Sequence, residues 1–194
     1  MSEQIIRDYL EDVLESFRGY KTLAERAMEQ VSDEEFFRAI DPEANSIAAI
    51  VKHIGGNLRS RWTDFLTTDG EKPYRNRDSE FVTESDTRES LTEFWNAGWN
   101  ALFSTLGALT VEDMGKTVKI RGEDYTVVKA INRSLSHTAS HIGQIILLAK
   151  HFRSANWKTL SIPKNKSAEF NKFMIEEKPE GSRFETARKF VERK

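Results

Sequence analysis

The sequence predicts a mainly α-helical protein, folded as a four-helix bundle with a small β-hairpin before the fourth long helix and a C-terminal extension. Four long stretches repeat apolar residues at the three- and four-residue spacing of amphipathic helices. One short stretch alternates apolar and polar residues around a glycine, as in a hairpin. The chain has 194 residues, of which 38% are hydrophobic, and this is enough for one core.

The first long helix is predicted over residues 3–31, where apolar side chains keep the helical spacing throughout. Ser32 and Glu35 then form a capping-box pattern, which predicts a short helix at residues 34–39. The sequence Asp41-Pro42 ends this piece, because proline cannot continue a helix.

The second long helix is predicted over residues 47–68, with Ser46 as its N-cap. Gly55 and Gly56 lie in its middle, where each costs about 1 kcal/mol of helix stability relative to alanine. Either these glycines allow a neighbouring helix to approach closely, or they are tolerated defects. The sequence leaves both interpretations open.

The remaining elements follow in order along the chain. Residues 69–86 are polar and predict a long loop. A third long helix is predicted over 87–107, a hairpin over 116–128, and the fourth long helix over 128–152. A last helix is predicted near residues 182–193.

The chain divides by composition near residue 155. We assign residues 1–155 to the bundle and residues 156–194 to a C-terminal extension that packs on or near it. From Arg153 onward the chain has 11 Lys or Arg against 6 Asp or Glu, so the preceding part is acidic overall.

Composition excludes several functional classes. The net charge is −2, which argues against nucleic acid as a partner, because such binding usually needs a basic excess. No apolar run approaches the length of about 18 residues that predicts a membrane span, and the N-terminus does not resemble a signal peptide. The chain has no cysteine, so it has no disulfide and no thiol nucleophile of its own. We expect a cytoplasmic protein that binds neither nucleic acid nor a membrane.

Three of the four histidines form the strongest candidate site. His137 and His141 are spaced i, i+4 on the fourth long helix, which stacks their side chains on one face. On a helical wheel they lie roughly 80–120° from the centre of the apolar stripe, and His53 lies ~130° from the stripe of its own helix, on the flank of the same sense. If those flanks meet, three imidazoles face one point. His151 lies on the polar side and is expected to be solvated.

Three imidazoles would leave coordination positions of a metal ion open to water or substrate, as in catalytic sites. Neutral imidazole suits zinc, nickel, copper or iron, and the residues do not choose among these. Thr138 follows His137 where zinc proteases carry a glutamate base, which excludes that class. No Asp or Glu is an obvious fourth ligand. The competing interpretation is that such a histidine pair arises by chance on a helix surface.

Further polar residues lie near the candidate ligands. Asn57, Ser134 and Gln144 could orient the imidazoles or contact a substrate, or they could simply meet water. Trp95 and Trp99 are one turn apart and could wall an apolar pocket, although aromatic residues at this spacing more often belong to a core.

Two arginines follow His53 on the same predicted helix. Arg59 and Arg61 could bind a substrate carboxylate, since a guanidinium donates two parallel hydrogen bonds to such a group. A solvated helix face is the simpler interpretation of both.

The two histidine motifs resemble those of the DinB/YfiT-like family of metal-binding four-helix bundles. The first motif is Val51-Lys52-His53-Ile54-Gly55-Gly56-Asn57, and the second is His137-Thr138-Ala139-Ser140-His141-Ile142-Gly143-Gln144. Their order also matches, with one histidine on the second long helix and a pair on the fourth. The stretch Trp157–Pro163, leading to Ser167 and Phe170-Asn171, is similar to a C-terminal signature of one uncharacterised branch. The resemblance covers about residues 1–171.

The resemblance implies a divalent metal, most often nickel or zinc, held by His53, His137 and His141. It also implies a homodimer. Relatives of this kind include transferases and isomerases that use low-molecular-weight thiols such as bacillithiol, mycothiol or glutathione.

The expected function is therefore a metal-dependent enzyme that activates water or a thiol for transfer or hydrolysis on a small substrate. The alternative is a non-catalytic, dimeric helical module for binding or stress response, whose metal site is structural or vestigial.

Overall fold

A computed structural model describes residues 3–193 of the chain. Within these residues the protein is 66% helical, with seven α-helices and one two-stranded antiparallel sheet. The helices are α1 (Glu3–Met28), α2 (Asp33–Phe37), α3 (Ile47–Trp62), α4 (Arg88–Ala108), α5 (Val127–Arg153), α6 (Ser167–Glu176) and α7 (Arg183–Glu192). The strands are β1 (Thr117–Ile120) and β2 (Glu123–Thr126). In the part of the chain that is described, every helix is too short or too polar to cross a lipid bilayer.

The mainly helical class and the hairpin are confirmed. The second long helix ends at Trp62 rather than at residue 68, because Asp64 adopts a left-handed backbone conformation with φ of 49°. The hydroxyls of Thr67 and Thr68 then donate hydrogen bonds to the Asp64 carbonyl, which closes a turn in place of the last helical turns. Helix α6 was not predicted from the sequence.

The core lies between the four long helices. Helix α3 packs most extensively on α4, and α1 packs on α5; contacts also join α3 to α5 and α1 to α4. The rings of Phe17, Trp62 and Trp99 meet edge to face at this centre, with centroids 6.2–6.3 Å apart, and all three residues are buried.

Helices α3 and α4 approach closely at Gly55 and Gly98. A Cβ atom at Gly98 would lie 2.5 Å from the Gly55 carbonyl oxygen, and a Cβ atom at Gly55 would lie 2.9 Å from the Phe94 ring. Neither space accommodates a side chain. Of the two interpretations of Gly55, close helix approach is therefore the correct one.

Residues 69–86 fold over α3 and the hairpin as an ordered loop. The Ser60 hydroxyl donates to the Gly70 carbonyl at 2.7 Å and accepts from the Lys72 amide at 3.1 Å. The Gly70 amide donates to the Lys119 carbonyl on β1 at 2.8 Å. These contacts fix the start of the loop, and Asp78–Phe81 forms a short 3₁₀ turn further along it.

The C-terminal helix α7 lies against α1. Phe184 packs edge to face on Tyr20, with ring centroids 5.7 Å apart, and Arg183 donates to the Ser16 hydroxyl at 2.9 Å. A Cβ atom at Gly19 would collide with the Phe184 ring at 2.1 Å, so this glycine makes room for α7. The division of the chain at residue 155 stays a prediction.

Candidate metal centre

Helices α3 and α5 bring together the three histidines that the sequence analysis selected. One ring nitrogen from each of His53, His137 and His141 lies within 4.8 Å of the others. Nε2 of His53 is 3.2 Å from Nε2 of His137. The group could hold a metal ion.

The two helices run antiparallel beside this group. At the far end of α3, Trp62 Nε1 donates to the hydroxyl of Ser134 at 3.3 Å, whereas His53 meets the histidines that follow Ser134 on α5. Successive turns of α3 therefore lie opposite earlier turns of α5.

His53 is more buried than its position on the helical wheel indicates. It is only 4% exposed, whereas the wheel places it away from the core seam of α3. The loop explains the difference, because Phe81 stacks on the imidazole with ring centroids 5.2 Å apart and Glu80 hydrogen-bonds to it. A helical wheel shows where a residue lies relative to the apolar stripe of its own helix, and it cannot show that a loop covers that residue.

Glu80 orients the His53 ring. Its Oε2 lies 2.8 Å from Nδ1 of His53, and its two carboxylate oxygens accept hydrogen bonds from Arg75 at 2.8 and 2.9 Å. Burial would raise the pKa of Glu80, but the hydrogen bonds from His53 and Arg75 outweigh burial and hold the pKa below its ordinary value. An ionised Glu80 accepts a hydrogen bond from Nδ1–H of His53, which selects the tautomer whose Nε2 lone pair is free for a metal.

Gly56 makes room for this carboxylate. A Cβ atom at Gly56 would lie 2.3 Å from Oε1 of Glu80. The second glycine of the pair therefore serves the site rather than helix packing, and neither glycine is a mere defect.

Gln144 orients His141 in the same way. Its Oε1 lies 2.8 Å from Nδ1 of His141, one turn further along α5. With the amide oxygen as acceptor, Nδ1 of His141 carries the proton and Nε2 is free. Of the predicted neighbours of the ligands, Gln144 contacts one directly.

Burial favours the neutral form of two of the three imidazoles, His137 and His141. Burial, helped by the nearby His141, His53, Arg75 and Arg61, lowers the pKa of His137 to about 3. Burial also lowers the pKa of His141, against the hydrogen bond that His141 donates to Gln144, which raises the pKa. Neutral imidazole is the form that binds metal, so little proton release is needed at His137 near neutral pH.

The donor set fits a first-row divalent ion. Such an ion binds imidazole nitrogen at about 2.0–2.1 Å, so two nitrogens on one tetrahedral ion are roughly 3.3 Å apart. The Nε2 atoms of His53 and His137 are already 3.2 Å apart. Within residues 3–193, the candidate group holds histidines alone, without a carboxylate ligand.

The histidines lie on the wall of an open cleft of about 280 Å³ between α3, α5, the loop and the hairpin. Asn57 and Ser134 also line it. The two tryptophan candidates do not: Trp95 and Trp99 are buried in the core, 1% and 0% exposed, with ring centroids 5.3 Å apart. The core interpretation of this pair is the one that fits their position.

The two arginines of α3 have different surroundings. Arg59 is exposed, and its guanidinium lies 5.2 Å from the ring centroid of Tyr74. Arg61 is only 9% exposed and lines the cleft. The solvated-face interpretation therefore fits Arg59 and is wrong for Arg61, because the loop and the hairpin cover the side of α3 where Arg61 lies.

The chain matches a protein family over residues 4–166, namely DUF1572, which is described as a family of proteins of unknown function. The chain belongs to the DUF1572 family. No curated protein matches it. All three histidines lie within the DUF1572 region, whereas helices α6 and α7 begin beyond it.

Sequence reasoning missed two residues that shape the site of this DUF1572 protein, Glu80 and Arg75. The signal was present as a dense run of charges at residues 75–80 within the predicted loop. Periodicity does not extend into a loop, so nothing local indicated that Glu80 turns inward to His53.

Proposed function

We propose that this DUF1572 protein is a metal-dependent enzyme of the DinB/YfiT-like kind that acts on a small substrate by transfer or hydrolysis. The observation that carries the proposal is the histidine group on the wall of an open cleft, with no carboxylate among the candidate ligands of the described residues. An open coordination position beside a cleft is typical of catalytic rather than structural metal sites.

We also propose that the four long helices form a DinB/YfiT-like four-helix bundle. Each long helix contacts two others, in the cyclic order α1, α5, α3, α4. The position of His53 on α3 and of the histidine pair on α5 is the arrangement that the sequence resemblance implies. Both observations support the proposal.

His53, His137 and His141 would hold the ion, for which we propose nickel or zinc. When bound, such an ion acts as a Lewis acid that makes water or a thiol a better nucleophile at neutral pH. Glu80 and Gln144 hold two of the rings in the correct orientation and tautomer. The aromatic residues Trp62 and Phe65, which also line the cleft, shield one side of a bound substrate from water.

If the reaction uses a thiol, the thiol must come from outside the chain, because the sequence has no cysteine. We propose a low-molecular-weight thiol as the co-substrate in that case. A reducing cytoplasm, where such thiols are abundant, is the location that this chemistry favours.

Metal content tests the first part of the proposal. Untagged protein, prepared without chelator, is expected to contain about one equivalent of a transition metal by elemental analysis. The double variant His137→Ala/His141→Ala is expected to contain none. His151→Ala is the matched control, because His151 is an exposed histidine on the same helix and should keep the metal. Absence of metal after incubation with zinc and nickel would overturn the proposal.

Turnover tests the second part. The metal-loaded protein is assayed with thiol-transfer and hydrolytic probe substrates, beside the same two variants. Activity in the wild type and His151→Ala, lost in the double variant, supports the enzyme. Bound metal without any turnover, with histidine substitutions that change only stability, would favour the non-catalytic module instead.

We further propose that the protein forms a homodimer, as the family resemblance implies. Analytical ultracentrifugation at micromolar concentration is expected to give twice the 22.3 kDa mass of the chain. A single monomeric species would contradict this proposal.

A further inference from the structure

The cleft is lined by six cationic side chains and, within the described residues, by no carboxylate. The six are Arg61, Arg75, Arg77, Lys119, Arg121 and Arg133. A cleft of this charge favours an anionic ligand, because a concave surface concentrates the potential of its lining charges.

Partners are present for several of these cations. Glu80 binds Arg75 through both carboxylate oxygens, and Asp124 binds Lys119 at 2.7 Å. Arg133 donates to the Tyr125 hydroxyl at 2.5 Å.

One carboxylate oxygen contacts three of the guanidinium groups. Oε2 of Glu71 lies 3.2 Å from Arg61, 3.5 Å from Arg75 and 3.1 Å from Arg121. Arg75 also binds Glu80, so Arg61 and Arg121 share the single charge of Glu71, which neutralises the two guanidiniums only in part.

Arg61 has a donor to spare at this point. Its Nη2 contacts Glu71, but its Nη1 is buried and has no hydrogen-bond partner among residues 3–193. A buried donor left without a partner is costly, particularly when it carries charge. Burial, together with the charges of Arg75, Arg121 and Arg133, lowers the pKa of Arg61 despite Glu71. An anion beside Nη1 would accept the missing hydrogen bond and would also stabilise the buried positive charge.

Arg61 lies on the same face of α3 as the candidate metal ligand. His53, Asn57 and Arg61 occupy successive turns and all line the cleft. Eight residues separate the first from the last, which is roughly 12 Å along a helix axis. The cleft therefore has a histidine end and an arginine end.

We propose that the ligand of this cleft carries an oxyanion group, a carboxylate or a phosphate, that binds Arg61 while the rest of the ligand extends toward the three histidines. Anion binding at Arg61 stands on the structure alone. The second half, that the reacting part of the ligand lies at the histidine end, rests on the proposed function. A planar guanidinium suits both oxyanions, since it donates two parallel hydrogen bonds to either.

The experiment measures binding of inorganic phosphate, and separately of acetate and benzoate, to the full chain by calorimetry at constant ionic strength, with chloride as the reference anion. Arg61→Gln is compared with Arg59→Gln, which removes the same charge from the exposed side of the same helix. We expect Arg61→Gln to weaken anion binding about 10–100-fold, and Arg59→Gln to leave it unchanged. A preference for phosphate over the carboxylates, or the reverse, identifies the oxyanion.

A measurement on the unmodified protein covers the case in which Arg61→Gln does not fold. In the ¹H–¹⁵N NMR spectrum, the guanidinium signals of Arg61 are expected to shift on addition of the bound anion, and those of Arg59 are not. Equal anion affinity in the two variants, or no shift of the Arg61 signals, would overturn the inference.

The result is separable from that of the proposed function. All binding is measured both on chelator-treated protein and on zinc-loaded protein. If the protein binds anions through Arg61 but binds no metal, only the proposed function is refuted. Turnover that needs the histidines but is indifferent to anions and to Arg61→Gln would refute this inference only.

Discussion

The histidine end and the arginine end of the cleft compensate their polar groups differently. At the histidine end, Glu80 and Gln144 accept hydrogen bonds from the Nδ1 atoms of His53 and His141. The Nε2 atoms of these two rings then keep their lone pairs available for a metal ion. Among the described residues, Nδ1 of His137 is buried without a partner, and so is Nη1 of Arg61 at the arginine end. The first end presents acceptors that suit a cation, and the second presents donors that suit an anion.

The loop supplies the carboxylate at both ends. Glu80 accepts hydrogen bonds from Nδ1 of His53 and from Nε and Nη2 of Arg75, so its charge is well compensated. Glu71 lies nine residues earlier and is shared by three guanidiniums. The same loop therefore compensates the polar groups at the histidine end and leaves excess positive charge at the arginine end. The difference teaches that one segment can orient metal ligands and also leave charge available for a ligand.

Glu80→Gln is expected to have the largest effect. The change removes the charged acceptor of His53 and leaves Arg75, whose side chain is 3% exposed, without its main partner. We expect metal affinity to fall about 10–100-fold and the free energy of unfolding to fall by about 3–5 kcal/mol. Chelator competition and urea unfolding measure the two quantities. Glu84→Gln, an exposed charge change in the same loop, is the control, and equal metal affinity in both variants would contradict the role of Glu80.

The stability of the metal-free protein is expected to depend on pH, with the next largest effect. The pKa of His137 falls from an ordinary 6.5 to about 3 in the folded state. As pH falls below 6.5, the unfolded chain takes up a proton that the folded protein does not, so folding becomes less favourable. The slope is at most about 1.4 kcal/mol per pH unit for one such group. Urea unfolding between about pH 6.5 and 5, above the range where most carboxylates titrate, isolates the histidines.

Substitution of His137 tests whether this residue causes the pH dependence of stability. His137→Gln is expected to reduce the slope without removing it, because burial also lowers the pKa of His141. His151→Gln, on the same helix but exposed, is expected to leave the slope unchanged. An equal slope in wild type and His137→Gln would show that His137 does not hold its neutral form in the folded protein.

Alanine substitutions at the two adjacent glycines of α3 are expected to have smaller effects that separate metal affinity from stability. Gly56→Ala places a methyl group against Oε1 of Glu80, so we expect metal affinity to fall about tenfold, the lower end of the range for such displaced partners. Gly55→Ala places the same group against Phe94 of α4, so we expect a loss of about 1–3 kcal/mol of stability with metal affinity kept. Identical behaviour of the two variants would mean that Gly56 does not seat Glu80.

Gly143→Ala is expected to have the smallest effect, and its sign is opposite. A Cβ atom at Gly143 would meet no atom of the described residues within 4 Å, and Gly143 is exposed on α5. We expect a gain of about 0.5–1 kcal/mol of stability from the better helix former, with metal content unchanged. Thermal unfolding and elemental analysis check this, and a loss of metal would show that the motif around His141 needs this glycine.

The candidate ligands could be found from the sequence because their positions follow helix periodicity. His137 and His141 share a face of α5 by spacing alone, and comparing the wheels of α3 and α5 was enough to add His53. The same approach identified Gln144, which lies one turn from His141. At 100° per residue, Arg61 lies between His53 and the apolar stripe, whereas Arg59 lies on the opposite flank. Periodicity therefore separates the two arginines, but only the tertiary structure shows that the loop covers Arg61.

The amino-acid sequence by itself determined the helical class, the long helices, the hairpin and the three histidines, because repeating hydrogen bonds and side-chain spacing are local properties of the chain. Tertiary structure alone decided that Glu80 reaches His53 over Gly56 and that Trp95 and Trp99 belong to the core. It also decided that Arg61 is buried, with one donor that has no partner in residues 3–193, while Arg59 meets solvent. The physical reason is that these outcomes depend on the path of the loop at residues 69–86, which is held by contacts to α3 and β1 far from it in sequence.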